Sequence, residues 1–186
     1  THGLGALALG AAGVVGARLA ARLLPAQKRI GLLAGLALVL AWHLLWAAAS
    51  GMETMLFSLW TLVLLALAWR EVDRQGGTVR RGLIFGAAAA LATMTRPEGL
   101  LLAGLIGLAL LVVRPQGTWR GFMEWAGGAV AGFAVFIAPY LLLNLQLTGG
   151  LLPNTAAAKQ AEYAQIVERL TYPARLWEML KPMMAG

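Results

Sequence analysis

Three short polar clusters interrupt an otherwise apolar chain, and each gathers residue types that can hold an anion. They are Ser50-Gly-Met-Glu-Thr54, Thr95-Arg-Pro-Glu-Gly99 and Leu152-Pro-Asn-Thr-Ala-Ala-Ala-Lys159. The first two carry the Ser/Thr-x-x-Glu spacing of a capping box, in which the hydroxyl accepts from a backbone N–H and the glutamate reaches back. Pro97 suits a first helical turn, and Asn154 suits the N-cap of a helix beginning at Thr155. Each cluster is therefore expected to open a helix, with its unpaired N–H groups and the positive end of its dipole turned toward any nearby phosphate.

Arg96 is the one charge in these clusters that needs a partner. A guanidinium near membrane depth is costly unless something fixed neutralises it. Either Glu53 or Glu98 pairs with it structurally, or it holds an anionic ligand such as a lipid phosphate. Glu53 and Glu98 are also the candidates for a general base or a metal ligand, and sequence spacing decides neither. His43 lies about two turns before Ser50 among apolar neighbours and reads as a packing residue.

The elements that position these clusters are membrane helices. The 186-residue chain is 60% hydrophobic and 12% charged, with a mean hydropathy of +0.73, about half the charge share of a soluble domain. The apolar blocks fall near residues 3–17, 30–49, 55–69, 83–94, 100–113 and 125–145. The second, at about 1.5 Å per residue, is long enough for a ~30 Å hydrocarbon layer. The fourth and fifth are shorter and read either as thin spans or as a re-entrant hairpin with 95–99 at its tip. The expectation is an all-α, polytopic transmembrane bundle of about six membrane segments over 1–145. Residues 146–186 then form an extracytoplasmic or interfacial part. That part contains an amphipathic helix over 155–170 and an aromatic and basic anchor at Tyr172-Pro-Ala-Arg-Leu-Trp177. Both ends read as cut from a longer polypeptide.

Charge placement gives the orientation. Assigning loops alternately to two sides puts Arg18, Arg22, Lys28, Arg29, Arg70, Arg74, Arg80, Arg81, Arg114 and Arg120 on one side. The other side's short loops hold Arg96 alone. Positive residues mark the cytoplasmic face, so the three polar clusters are expected on the extracytoplasmic face of a bacterial cytoplasmic (inner) membrane. The same distribution explains the net charge of +7 without a nucleic-acid partner. With no cysteine and two histidines, thiol chemistry and a histidine metal cluster are excluded. Gly31-x-x-x-Gly35, Gly82-x-x-x-Gly86 and Gly128-x-x-x-Gly132 are candidate helix contacts.

The ordered set of clusters on one face, within residues 40–165, resembles bacterial GT-C-type membrane glycosyltransferases. It is most similar to the mycobacterial-type arabinofuranosyltransferases and their mannosyltransferase-like relatives. The resemblance implies inverting transfer of a sugar from a polyprenyl-phosphate donor to a glycan or lipid acceptor in the cell envelope. By that likeness Arg96 would hold the donor phosphate, with Ser50, Glu53, Thr95, Glu98, Asn154, Thr155 and Lys159 lining the site. It implies no certain cofactor, and a divalent cation stays open. It also implies a catalytic acid in the first outer loop, but Asp73, the only aspartate, falls on the inner side. The catalytic carboxylate is therefore expected upstream of Thr1. A transporter or lipid flippase, or a non-catalytic membrane subunit, is the competing expectation.

Overall fold

The structure, a computed structural model, describes residues 2–27, 29–73, 78–113, 117–149, 164 and 171–185. Among them the chain is all-helical. In order come α1 (His2–Leu23), α2 (Ile30–Leu40), α3 (Trp42–Ser50), α4 (Glu53–Asp73), α5 (Val79–Thr95), α6 (Glu98–Val113), α7 (Trp119–Thr148) and α8 (Tyr172–Ala185). Apart from Ala164, the expected helix over 155–170 lies outside the described residues, as do Lys28, Arg74, Arg114, Asn154, Thr155 and Lys159.

Among the described residues three helices, over Gly3–Leu23, Glu53–Asp73 and Trp119–Leu147, are long and apolar enough to cross a membrane, and α2 and α3 make a fourth candidate if together they form one span. Outward-facing leucines suit that environment. Leu7, Leu32, Leu101 and Leu147 are all well exposed, a surface that water would penalise and hydrocarbon does not. α5 and α6 have 17 and 16 residues, about 25 Å of helix each, slightly short of a full hydrocarbon layer.

The block 30–49, expected as one continuous helix, is broken. α2 and α3 meet at Ala41, which is extended (φ −62, ψ 116), and their axes bend by 52°. Neither glycine nor proline marks the break in Leu40-Ala41-Trp42. Packing supplies its reason: α1 packs on both α2 and α3, and Gly5 of α1 lies against the Ala48 backbone while Gly13 lies against Val39 and Gly35. A straight helix from Ile30 to Ser50 would forfeit one of these two seats.

All three glycine pairs named above sit at helix contacts. A Cβ on Gly31 would stand 2.8 Å from the Ala17 carbonyl oxygen, and one on Gly35 would stand 2.9 Å from that of Gly13. Gly82 and Gly86 of α5 face the Trp125 and Ala129 backbone of α7, and Gly128 and Gly132 face Val79 and Leu83 in return. Contacts rising together along both chains make α5 and α7 parallel neighbours. Around them Leu64, Phe85, Ala89, Ala92, Ile106, Leu110, Phe122 and Trp125 form one buried cluster, and Ala8, Leu9, Ala12, Ala48 and Met55 another. Hydroxyls within these helices donate to carbonyls one turn back, as Ser58 does to Thr54 (2.9 Å) and Thr93 to Ala89 (2.8 Å), so they need no water.

The chain divides into two compact units, Thr1–Ala138 and Pro139–Gly186, with the boundary at the proline inside α7. Within the first unit, charges mark one end of the bundle. Glu71 and Asp73, at the carboxylate-unfriendly C-terminal end of α4, are met by Arg81 (3.5 Å) and Arg22 (3.8 Å). Glu71 is 4% exposed and Arg81 17%, and Arg81 Nε also donates to Thr78 Oγ1 (3.2 Å). Because Gln keeps the volume and an acceptor but not the charge, Glu71→Gln is expected to destabilise the bundle by about 1 kcal/mol. Its detergent-solubilised unfolding midpoint against wild type would measure this, and an unchanged midpoint would show that the pair contributes nothing net.

A candidate anion site at the opposite end of the bundle

At the other end of α4, about 30 Å from Glu71 and Asp73 along 21 residues, two connections come together. α3 ends at Ser50, Gly51 turns left-handed (φ 71), a conformation glycine adopts without penalty, and α4 opens at Glu53. α5 ends at Thr95, Arg96 is extended (φ −150, ψ 136), and α6 opens at Glu98. Pro97 forces this exit, since the residue before proline is driven out of helical geometry. Gly99 lets α6 start hard against α5, because a Cβ there would lie 2.5 Å from the Ala92 carbonyl carbon and 2.6 Å from Thr93 N. Backbone bonds from Arg96 N to Ala92 O (2.9 Å) and from Gly99 N to Arg96 O (2.9 Å) fix the turn.

The capping boxes expected at both connections are not formed. Ser50 Oγ donates to Ala47 O (3.1 Å), and Thr95 Oγ1 donates to Leu91 O (3.0 Å) and Ala92 O (2.7 Å). Both hydroxyls donate back to carbonyls in the last turn of the helix they end, instead of accepting from the first N–H groups of the helix that follows. The two glutamates nonetheless lie in first turns, where the helix dipole favours a carboxylate.

Of the expected site residues, the structure brings Arg96 and Glu53 together. Arg96 Nε lies 3.8 Å from Glu53 Oε1, with the side chains 38% and 54% exposed. The Phe57 ring, one turn further along α4, stands 5.8 Å from the guanidinium carbon. Glu98 is exposed and has no ion-pair partner among the described residues. His43, expected as a packing residue, is exposed on α3, whose buried residues are Ala47 and Ala48, the latter against Gly5 of α1. Among the described residues no three His, Asp or Glu side chains could hold a metal together.

Phe57 is the contact that sequence reading missed. Its i, i+4 relation to Glu53 was the available signal, since such residues share a helix face, but an aromatic in an apolar block gives no hint that a cation will lie over it.

A second feature is an open apolar groove of about 520 Å³ between α5, α6 and α7. Gly86 and Ala89 of α5, Leu100 to Leu111 of α6, and Phe122 to Phe133 of α7 line it. Along α6 it runs for about 16 Å, starting from Leu100, four residues beyond Arg96. Comparison with protein-family models, with curated proteins and with solved structures finds no match to this chain.

Proposed function

We propose that this protein is a membrane glycosyltransferase that takes a sugar from a polyprenyl-phosphate donor and passes it to a cell-envelope acceptor on the extracytoplasmic face. The observation that carries the reading is Arg96. Among the described residues of the two connections at this end it is the one basic side chain, partly exposed, and loosely held by one carboxylate at 3.8 Å. A guanidinium matches the geometry of a phosphate oxygen pair and would stabilise the charge that grows on the departing lipid phosphate. The groove that begins at Leu100 offers an apolar channel for a hydrocarbon chain attached to that phosphate. In this reading about six membrane segments are formed by α1, α2–α3, α4, α5, α6 and α7, with the Arg81 end cytoplasmic and the Arg96 end facing outward from a bacterial inner membrane.

Glu53 does not suit the role of general base. An inverting displacement needs its base across the sugar from the leaving group, and paired carboxyls in inverting glycosidases stand about 6.5–9.5 Å apart to allow this. A carboxylate 3.8 Å from the phosphate-holding guanidinium is on the leaving-group side. The base for the acceptor hydroxyl must come from elsewhere.

The broken pair α2–α3 favours a second reading, a transporter or lipid flippase, since interrupted helices build substrate sites in transporters. Membrane vesicles containing the protein and a labelled polyprenyl-phosphate sugar separate the two. Labelled glycan is the expected product. Label that changes leaflet with no glycan formed would replace the transferase reading with the transporter one.

A further inference from the structure

α4 offers Arg96 two contacts of different kinds, one turn apart. Glu53 Oε1 stands 3.8 Å from Nε, beyond hydrogen-bonding distance, and the Phe57 ring lies 5.8 Å from the guanidinium carbon. An arriving anion affects them differently. The aromatic face is attracted to the cation whichever anion shares it. Glu53, in contrast, competes with the newcomer for the same N–H donors. Glu53 is also the first residue of α4, so the positive end of that helix still stabilises its carboxylate after Arg96 is given up. With both side chains more than one third exposed, the pair is of the weak, solvent-screened kind. Arg96 therefore has one contact that can stay and one that can leave.

We propose, resting on the phosphate reading above, that Glu53 is an exchangeable placeholder on Arg96. The phosphate of a lipid ligand displaces the Glu53 carboxylate, while Phe57 keeps the guanidinium in position. The exchange also discriminates. A neutral lipid cannot displace a carboxylate, so Arg96 stays covered in its presence, and only an anionic headgroup opens the site.

The test is equilibrium binding of farnesyl phosphate, inorganic phosphate and uncharged farnesol to the protein in nanodiscs. Removing the competitor should tighten binding, so Glu53→Gln is expected to bind both phosphates about threefold more tightly than wild type, the size of one exposed ion pair. Phe57→Leu is expected to bind them about threefold more weakly. Glu124→Gln, which removes a charge paired with Arg120 on α7, should leave affinity unchanged, and farnesol should not distinguish wild type from Glu53→Gln. Unchanged or weaker phosphate binding by Glu53→Gln, with Arg96→Ala still abolishing it, overturns the exchange and leaves the phosphate reading standing. An equal gain from Glu124→Gln, or a gain with farnesol, also overturns it. Binding by Arg96→Ala as tight as wild type removes the phosphate reading itself.

Discussion

Replacing Arg96 with alanine is expected to lower sugar transfer from a polyprenyl-phosphate donor by about 100-fold or more. The estimate comes from the loss of one preorganised donor facing a developing oxyanion, which costs about 10²–10³ in kcat. No other basic residue lies in the two short connections, 50–54 and 95–99, that meet at that end of α4. Arg96→Lys keeps the charge and loses the planar fork, and an intermediate loss of about tenfold is expected. Unfolding would not account for the alanine result. Both side chains of the Arg96–Glu53 pair are partly exposed, and solvent-screened pairs of this kind contribute at most about 1 kcal/mol. The control is Arg120→Ala, whose side chain is 92% exposed and paired within α7 to Glu124. Transfer measured in vesicles should collapse in Arg96→Ala and persist in Arg120→Ala. Equal activity in the two would end the phosphate role of Arg96.

The parts of this fold legible in the sequence are those written by composition along a helix. Long apolar blocks and the charges between them locate most helices to within a few residues. At the two ends of α4 the structure separates the residues that the alternation of loops separates, with Glu53 and Arg96 at one end and Arg22 and Arg81 beside Asp73 and Glu71 at the other. The glycine pairs were legible because a missing Cβ at i and i+4 leaves a groove that another backbone can fill. What escaped the sequence depends on partners distant in the chain. The bend at Ala41 has no local breaker and follows from two separate seats on α1. Ser50 and Thr95 have the spacing of N-caps, yet the hydroxyl can serve either neighbouring helix, and spacing does not say which backbone groups are unsatisfied. At the candidate site the sequence singled out Arg96 by its charge and left Glu53 and Glu98 as equal partners. Geometry separates them: Glu53 and Phe57, one turn apart on α4, both meet the guanidinium, and among the described residues Glu98 forms no ion pair with it.

The bundle's stability should be most sensitive where backbone meets backbone, and Gly86→Leu is the substitution expected to show it. A Cβ at this position would run into the Ala129 carbonyl oxygen of α7 and stand 2.7 Å from Phe133 N. These are backbone atoms that no rotamer change can move aside, so α5 and α7 must part. Parting them pulls open the aromatic cluster on the same seam, where Phe85 and Trp125 ring centroids lie 5.2 Å apart and Trp125 is 2% exposed. Overpacking of this kind costs about 3 kcal/mol, the upper part of its usual range, against which the better helix propensity of leucine returns less than about 1 kcal/mol. Gly127→Leu is the matched control, one residue from the α7 half of the seam but with nothing within 4 Å of its Cβ. There the propensity gain stands alone, and stability should hold or rise slightly. Unfolding by SDS titration in mixed micelles would compare the two. A large loss for Gly86→Leu with none for Gly127→Leu would establish that α5 and α7 are held by glycine-mediated backbone contact. Equal midpoints would mean that the two helices do not pack along this seam in the membrane.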